Sequence, residues 1–124
     1  MSTLLRPAAL GLVFLGGAAG TLVRAEVGRW LPHSPYPWAT FAVNLMGAFL
    51  LGVIVEALAQ RPDDERHRRV RLLLATGFCG GLTTYSAFAL DIHAAASAVG
   101  AVYAGATVLL GLVAALAGAA VARR

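Results

Sequence analysis

Charge is scarce in this chain, and lysine is missing altogether. Only 13% of the 124 residues are charged, and arginine supplies all ten of the basic side chains; ordinary soluble domains carry about 25% charged residues. Cysteine is nearly absent too. Cys79 stands alone, which excludes an intrachain disulfide and any cysteine-based metal spacing. Carboxylates are missing from the middle of every long apolar run: Glu26, Glu56 and Asp91 lie near run ends. That argues against a proton-coupled carrier, which usually needs an intramembrane acid. Long polar stretches are lacking as well, so there is no soluble domain whose basic face would bind nucleic acid. The net charge of +4 is better explained by membrane topology. Ser86 has no base nearby in sequence, and His33, His67 and His93 have no evident catalytic or ligand partner. Nothing resembles an enzyme site.

Apolar residues fill the space left by these absences. They make up 59% of the chain, against about 45–50% in soluble proteins, more than so small a domain can hide from water. The charges also cluster. Uncharged runs of 17, 26, 19 and 31 residues lie between Arg6 and Arg24, Arg29 and Glu56, Arg71 and Asp91, and Asp91 and Arg123. A bilayer core takes about 20 helical residues to cross. The reading is therefore an all-α membrane protein of four transmembrane helices, at roughly 7–27, 38–58, 70–92 and 94–122, forming one domain. The first run lacks a clean small-residue cleavage site before Arg24 and is taken as a retained helix rather than a signal peptide. Residues 29–37 hold Pro32, Pro35 and Pro37 and read as a loop. Residues 61–71, with five Arg and three acids, read as a solvated charged loop.

The third span has an unusual centre, Gly77-Phe-Cys-Gly-Gly-Leu-Thr-Thr-Tyr-Ser86, whose glycines and hydroxyl residues make a poor helix. Irregular backbone at membrane depth is tolerated only where it is buried in protein or lines a cavity. It frees carbonyls at one half-helix end and N–H groups at the other, which attract ions. Helix 3 is expected to be broken mid-membrane across Gly77 to Thr84, as an ion site or, on the plainer reading, a packing notch.

Other polar groups admit two readings each. Asn44, one turn from Thr40 in the second span, is either an interhelical hydrogen-bonding group or an amide donor to an anion. Arg24 is a snorkelling interfacial arginine or the source of a positive vestibule. Tyr103 and Thr107 share a helix face, as a polar track or as partners of backbone carbonyls.

Taken together, Gly77-Phe-Cys-Gly-Gly-Leu-Thr-Thr-Tyr-Ser86-Ala-Phe88, Gly17-Ala-Ala-Gly20-Thr-Leu-Val-Arg24 and Trp38-Ala-Thr-Phe-Ala-Val-Asn44-Leu-Met-Gly47 resemble the Fluc (CrcB-type) fluoride ion channels. The resemblance covers all four spans, most specifically in the third and weakly in the fourth. It implies passive, fluoride-selective export across the cytoplasmic membrane, which protects the cell from fluoride entering as the neutral acid. It implies an antiparallel, dual-topology dimer with two pores, and a structural sodium ion held by backbone carbonyls at Gly80 and Thr83. It places ring edges at Tyr85 and Phe88, a pore amide at Asn44 and a vestibule arginine at Arg24. Ser86 and Thr40 join the fluoride path, and Tyr103 and Thr107 continue it. Lipid, fluoride and a second subunit are the implied partners.

Two features depart from the family pattern. Tyr85 stands where the first ring is usually Phe. Arginine is also distributed unequally: with both termini on one side, eight of the ten fall there and only Arg24 and Arg29 on the other, a strong orientation signal. Either this bias is overridden in a homodimer, which is the reading kept ahead, or the subunit pairs with an oppositely oriented sister. Two other classes fit the size: a small multidrug carrier, which needs an acid in the first span, and a non-transporting assembly subunit, which leaves the third-span motif unexplained.

Overall fold

The computed structural model describes residues 7–31, 36–94 and 97–124, and they are all helical or connecting. Helix α1 spans Pro7–Trp30 and α2 spans Trp38–Ala59. Helix α3 begins as Glu65–Val70, continues in wide i→i+5 turns over Arg71–Cys79 and ends in the turn Gly80–Leu82. Helix α4 is Tyr85–Ala94, and α5 is Ser97–Ala122. Four stretches, Pro7–Trp30, Trp38–Ala59, Glu65–Ala94 and Ala98–Ala122, are long and apolar enough to cross a membrane.

Surface composition identifies the solvent. The buried hydrophobic side chains described are only Ala9, Val43, Cys79, Leu82 and Tyr103, whereas Phe14, Leu22, Leu90, Leu109 and Leu116 are among many left exposed. A soluble monomer rarely exposes so continuous an apolar surface; in lipid it carries no penalty. Association of helices then depends on close packing rather than on the hydrophobic effect.

Two glycine seams supply that packing. Along α1 and α3, a methyl group added at Gly16 would lie 2.8 Å from Phe78 N, and one at Gly77 would lie 3.0 Å from the Gly16 Cα. Along α2 and α5, a methyl at Gly118 would lie 3.0 Å from Val53 N, and Gly52 is similarly closed by Ala115. One end of the bundle gathers the start of α1, the start of α3, and the ends of α2 and α5. There Gln60 Nε2 donates to the Ala122 carbonyl at 3.0 Å and Arg123 pairs with Glu56 at 3.3 Å.

Two boundaries differ from the expectation. Helix α1 runs about one turn beyond residue 27, because Glu26 accepts from Arg29 and from the Trp30 indole at 2.9 and 3.1 Å on the helix surface. The charged run 61–71 is not wholly loop. Asp64 caps α3, its Oδ1 accepting from His67 N at 3.0 Å, and Glu65 in the first turn suits the helix dipole. Residues 95–96, at the expected start of the last helix, lie outside the described residues. Arg6, Pro32, His33 and Pro35 lie outside the described residues.

Candidate functional site

The helical path stops at Leu82 and resumes at Tyr85. Thr83 is extended, with φ −87° and ψ 159°. The irregular stretch is much shorter than the expected Gly77 to Thr84. Gly77 and Gly81 lie within helical turns and serve as contact points for α1, where a methyl on Gly81 would fall 2.9 Å from the Gly17 Cα. Gly80 is helical too, and its missing side chain faces open space. Two threonines, not three glycines, make the interruption.

Each end of the interruption is held by a hydrogen bond from elsewhere in the chain. Helix C-termini leave their last carbonyls without intrahelical partners. At the end of α3, Arg24 Nε donates to the Gly81 carbonyl at 3.1 Å. Thr83 stays close to the preceding turn, since both its N–H and its hydroxyl donate to the Cys79 carbonyl, at 3.0 and 2.9 Å. Thr84 caps the next helix, its Oγ1 accepting from Ala87 N at 3.1 Å and meeting Ser86 Oγ at 3.3 Å.

Asn44 closes the arrangement. Its Oδ1 accepts from Thr84 N–H at 2.9 Å and its Nδ2 donates to the Thr84 carbonyl at 3.3 Å. In a continuous helix the Thr84 N–H would instead reach the Gly80 carbonyl four residues back. Its capture by Asn44 therefore releases that carbonyl. The amide has two N–H groups, so one remains beyond the bond to Thr84. Gly47, one turn along α2 from Asn44, makes room for Thr83: a methyl there would run into Thr83 Cγ2.

These groups border a cavity of about 430 Å³ whose walls include Asn44, Gly80, Thr83, Thr84, Tyr85 and Phe88. Tyr85 is 80% exposed, so the cavity opens on the outer face of the chain. The Tyr85 and Phe88 rings lie 6.2 Å apart, and Phe88 continues to Tyr103 at 5.2 Å. Tyr103 is fully buried. Its hydroxyl donates to Asp91 Oδ2 at 3.5 Å, and the Thr40 side chain lies nearby. Thr107 Oγ1 donates to the Tyr103 carbonyl at 2.7 Å, the backbone option left open for it above. The structure thus brings Arg24, Gly80, Thr83, Asn44, Ser86, Tyr85 and Phe88 around the interruption. Thr40, Tyr103 and Thr107 form an adjoining polar group reached through Phe88.

Sequence reasoning gave three contributors no role of their own. Thr84 supplies the backbone partner of Asn44 and a helix cap; its position just before a helical run was a usable N-cap signal. Gly81 gives its carbonyl to Arg24, and Asp91 accepts from Tyr103. Both of those partnerships cross from one helix to another, and no local pattern announces them. Among the described residues, no group of three or more His, Cys, Asp or Glu could hold a metal ion. Oxygen donors at this site come from backbone carbonyls and hydroxyls instead.

Fold and site define a multi-pass membrane protein whose third span is interrupted at a carbonyl- and hydroxyl-rich point. The family model described as "CrcB-like protein, Camphor Resistance (CrcB)" matches residues 11–119, and the chain belongs to that family. It is 44% identical over 119 residues to a protein of Rhizobium johnstonii named fluoride-specific ion channel FluC, covering 90% of this chain and 94% of the relative. It is 48% identical over 113 residues to fluoride-specific ion channel FluC 2 of Leifsonia xyli subsp. xyli, covering 86% and 78% respectively.

Proposed function

We propose that this chain forms a fluoride-selective channel, an ion pathway rather than an enzyme, that lets fluoride leave the cell passively across the cytoplasmic membrane. Gradient and membrane potential drive the flow. The observation that carries the reading is the double hydrogen bond by which Asn44 grips the Thr84 backbone at the helix interruption, beside the Tyr85 and Phe88 rings. Kinship with the fluoride-specific channels of Rhizobium johnstonii and Leifsonia xyli supports the choice of ion.

Chemistry favours the same ion. Fluoride is small and strongly hydrated, so a dry path must replace water with hydrogen-bond donors. The second Asn44 N–H and the Ser86 hydroxyl are such donors, and ring edges of Tyr85 and Phe88 carry the positive part of the aromatic quadrupole. None carries a fixed charge that would trap the ion. Arg24 adds positive potential near the entrance. Thr40, Tyr103 and Thr107 continue the polar track, with the Tyr103 hydroxyl oriented by Asp91.

The interruption lies at membrane depth and on the outer face of one subunit, where Gly80 and Tyr85 are exposed. Lipid cannot satisfy polar backbone. A second copy in the opposite orientation, covering this face in an antiparallel homodimer, is the arrangement we favour over an oppositely oriented sister subunit. A sodium ion fits the same place. The Gly80 carbonyl is released from its helical donor, Gly80 has open space beside it, and carbonyl oxygens suit a hard cation. Gly80 and Thr83 would hold it, and it would supply positive potential and tie the subunits together.

Fluoride-loaded liposomes containing only this purified protein provide the test. Addition of a potassium ionophore is expected to release fluoride and not chloride. A proton-coupled drug signal would mark a carrier instead, and no flux of any kind would leave an assembly subunit.

A further inference from the structure

Arg24 stands at the end of a small-residue face of α1. Gly17 and Gly20 precede it by seven and four residues, so all three share one side of the helix. Both glycines press on the end of α3: a methyl on Gly20 would lie 2.7 Å from Leu82 N, and Gly17 closes on Gly81. The two backbones approach closely enough for the Arg24 guanidinium to lie over the C-terminus of α3, where its Nε donates to the Gly81 carbonyl at 3.1 Å. That carbonyl would take its helical bond from the N–H of residue 85. The helix has ended at Leu82, so it has no such donor. A cation at a helix C-terminus is also favoured by the dipole.

Gly81 lies between Gly80 and Thr83, and three residues before Thr84. We infer that Arg24 is a positioning residue: by capping Gly81 it fixes the backbone that aims the Gly80 and Thr83 carbonyls and offers Thr84 to Asn44. Its main action is on the shape of the interruption, and its contribution to anion attraction is secondary. This rests on the channel reading above. The planar guanidinium presents its Nε–H sideways along the α1 surface, a geometry that the flexible ammonium of lysine does not reproduce.

Two measurements on purified protein separate shape from charge. One is fluoride efflux from liposomes over a range of fluoride concentrations. The other is the rise in melting temperature when N-methylglucamine chloride is replaced by sodium chloride. Arg24→Gln and Arg24→Lys are both expected to lower flux about tenfold or more at every fluoride concentration and to shrink the sodium-dependent rise. An anion-collecting role gives a different pattern. Arg24→Lys would conduct like wild type, and high fluoride would rescue Arg24→Gln, with the sodium effect intact in both; that pattern overturns the proposal. If Arg24→Gln does not assemble, Arg24→Lys decides. Wild-type flux overturns the proposal, while loss of the sodium effect or of assembly supports it, because charge was retained. Absence of fluoride flux in wild type would overturn the channel reading itself. The sodium-dependent melting of wild type and Arg24→Lys would still report on the clamp.

Discussion

Asn44 and Thr84, forty residues apart in sequence, exchange two hydrogen bonds: the amide oxygen takes the backbone N–H and the amide nitrogen serves the backbone carbonyl. The backbone partner fixes which way the amide points, since a reversed amide would set donor against donor and acceptor against acceptor. No other side chain of similar size does both jobs at once. Asn44→Asp keeps the shape but loses the donor and sets a carboxylate against a carbonyl. Asn44→Ala leaves both Thr84 groups without their partner. Leaving a desolvated polar group without its partner costs about 1–3 kcal/mol, which shifts the balance against the ordered interruption by roughly 5- to 150-fold. Both variants are expected to lose fluoride flux on at least the lower end of that scale in liposome efflux, with the assembled protein still present by size-exclusion chromatography.

Phe88 is the middle of three rings, 6.2 Å from Tyr85 and 5.2 Å from Tyr103. It links the exposed cavity to the buried polar group around Tyr103. Phe88→Ala removes that link and should sharply reduce flux while assembly persists. Phe88→Leu, which keeps apolar bulk without a ring edge, should be nearly as poor if the edge quadrupole is what fluoride meets. Normal flux in both Phe88→Ala and Asn44→Ala would remove these residues from the ion path.

Much of this fold is legible in the sequence, and for a simple reason. Long uncharged runs have few alternatives to membrane helices, so the four spans were legible. Their ends were less so. Glu26, Arg29 and Trp30 look like the end of a span, yet they bond one another along a helix that continues beneath them. Residues 65–70 look like loop because they are charged, yet Asp64 starts a helix there. The glycines of the third span show the deeper difficulty. Absence of a Cβ permits both an irregular backbone and a tight contact, and local sequence does not say which. Gly77 and Gly81 proved to be contacts because α1 presents Gly16 and Gly17 opposite them. Asn44 and Arg24 were recognisable as polar groups needing partners. Their partners, Thr84 and Gly81, engage through the backbone, and backbone atoms carry no sequence label.

That distinction between contact and free glycines has a measurable consequence. A methyl at Gly77 would meet backbone on all sides, at 2.9 Å from the Val13 carbonyl oxygen and 3.1 Å from that of Leu72, whereas Gly11 and Gly105 have nothing within 4 Å. Backbone cannot turn aside as a side chain can. Overpacking of this kind costs about 1–3 kcal/mol, outweighing the gain of up to about 1 kcal/mol in helix propensity from Gly to Ala. Thermal melts in detergent should show Gly77→Ala destabilised, and Gly11→Ala and Gly105→Ala unchanged or slightly stabilised.

Asp64 gives α3 a pH-dependent start. The carboxylate accepts from the His67 backbone N–H at 3.0 Å and lies 2.7 Å from His67 Nδ1. Chiefly because of the backbone bond, its pKa is held below the ordinary carboxylate value. A depressed pKa means the cap is fully effective above the ordinary carboxylate range and is lost as pH falls through the lowered value. Hydrogen-exchange protection in residues 65–70, taken relative to the intrinsic rate at each pH, should therefore be greatest at neutral pH and be lost only in strong acid. Asp64→Ala should show low protection throughout, and Asp64→Asn, which retains an acceptor, should stay protected without the acid transition.

Tyr85 offers the sharpest separation of ring from hydroxyl. Its ring borders the cavity, but at 80% exposure its hydroxyl is not held by the described bonds of the chain. If the ring edge is what fluoride meets, Tyr85→Phe should conduct within about twofold of wild type, the range of a substitution that breaks no fixed contact. Tyr85→Ala should then fall with Phe88→Ala. If instead the hydroxyl donates to the ion, Tyr85→Phe should be nearly as slow as Tyr85→Ala. Efflux rates for the two variants at one fluoride concentration decide between ring and hydroxyl, because the Phe variant deletes a single oxygen and leaves the ring in place.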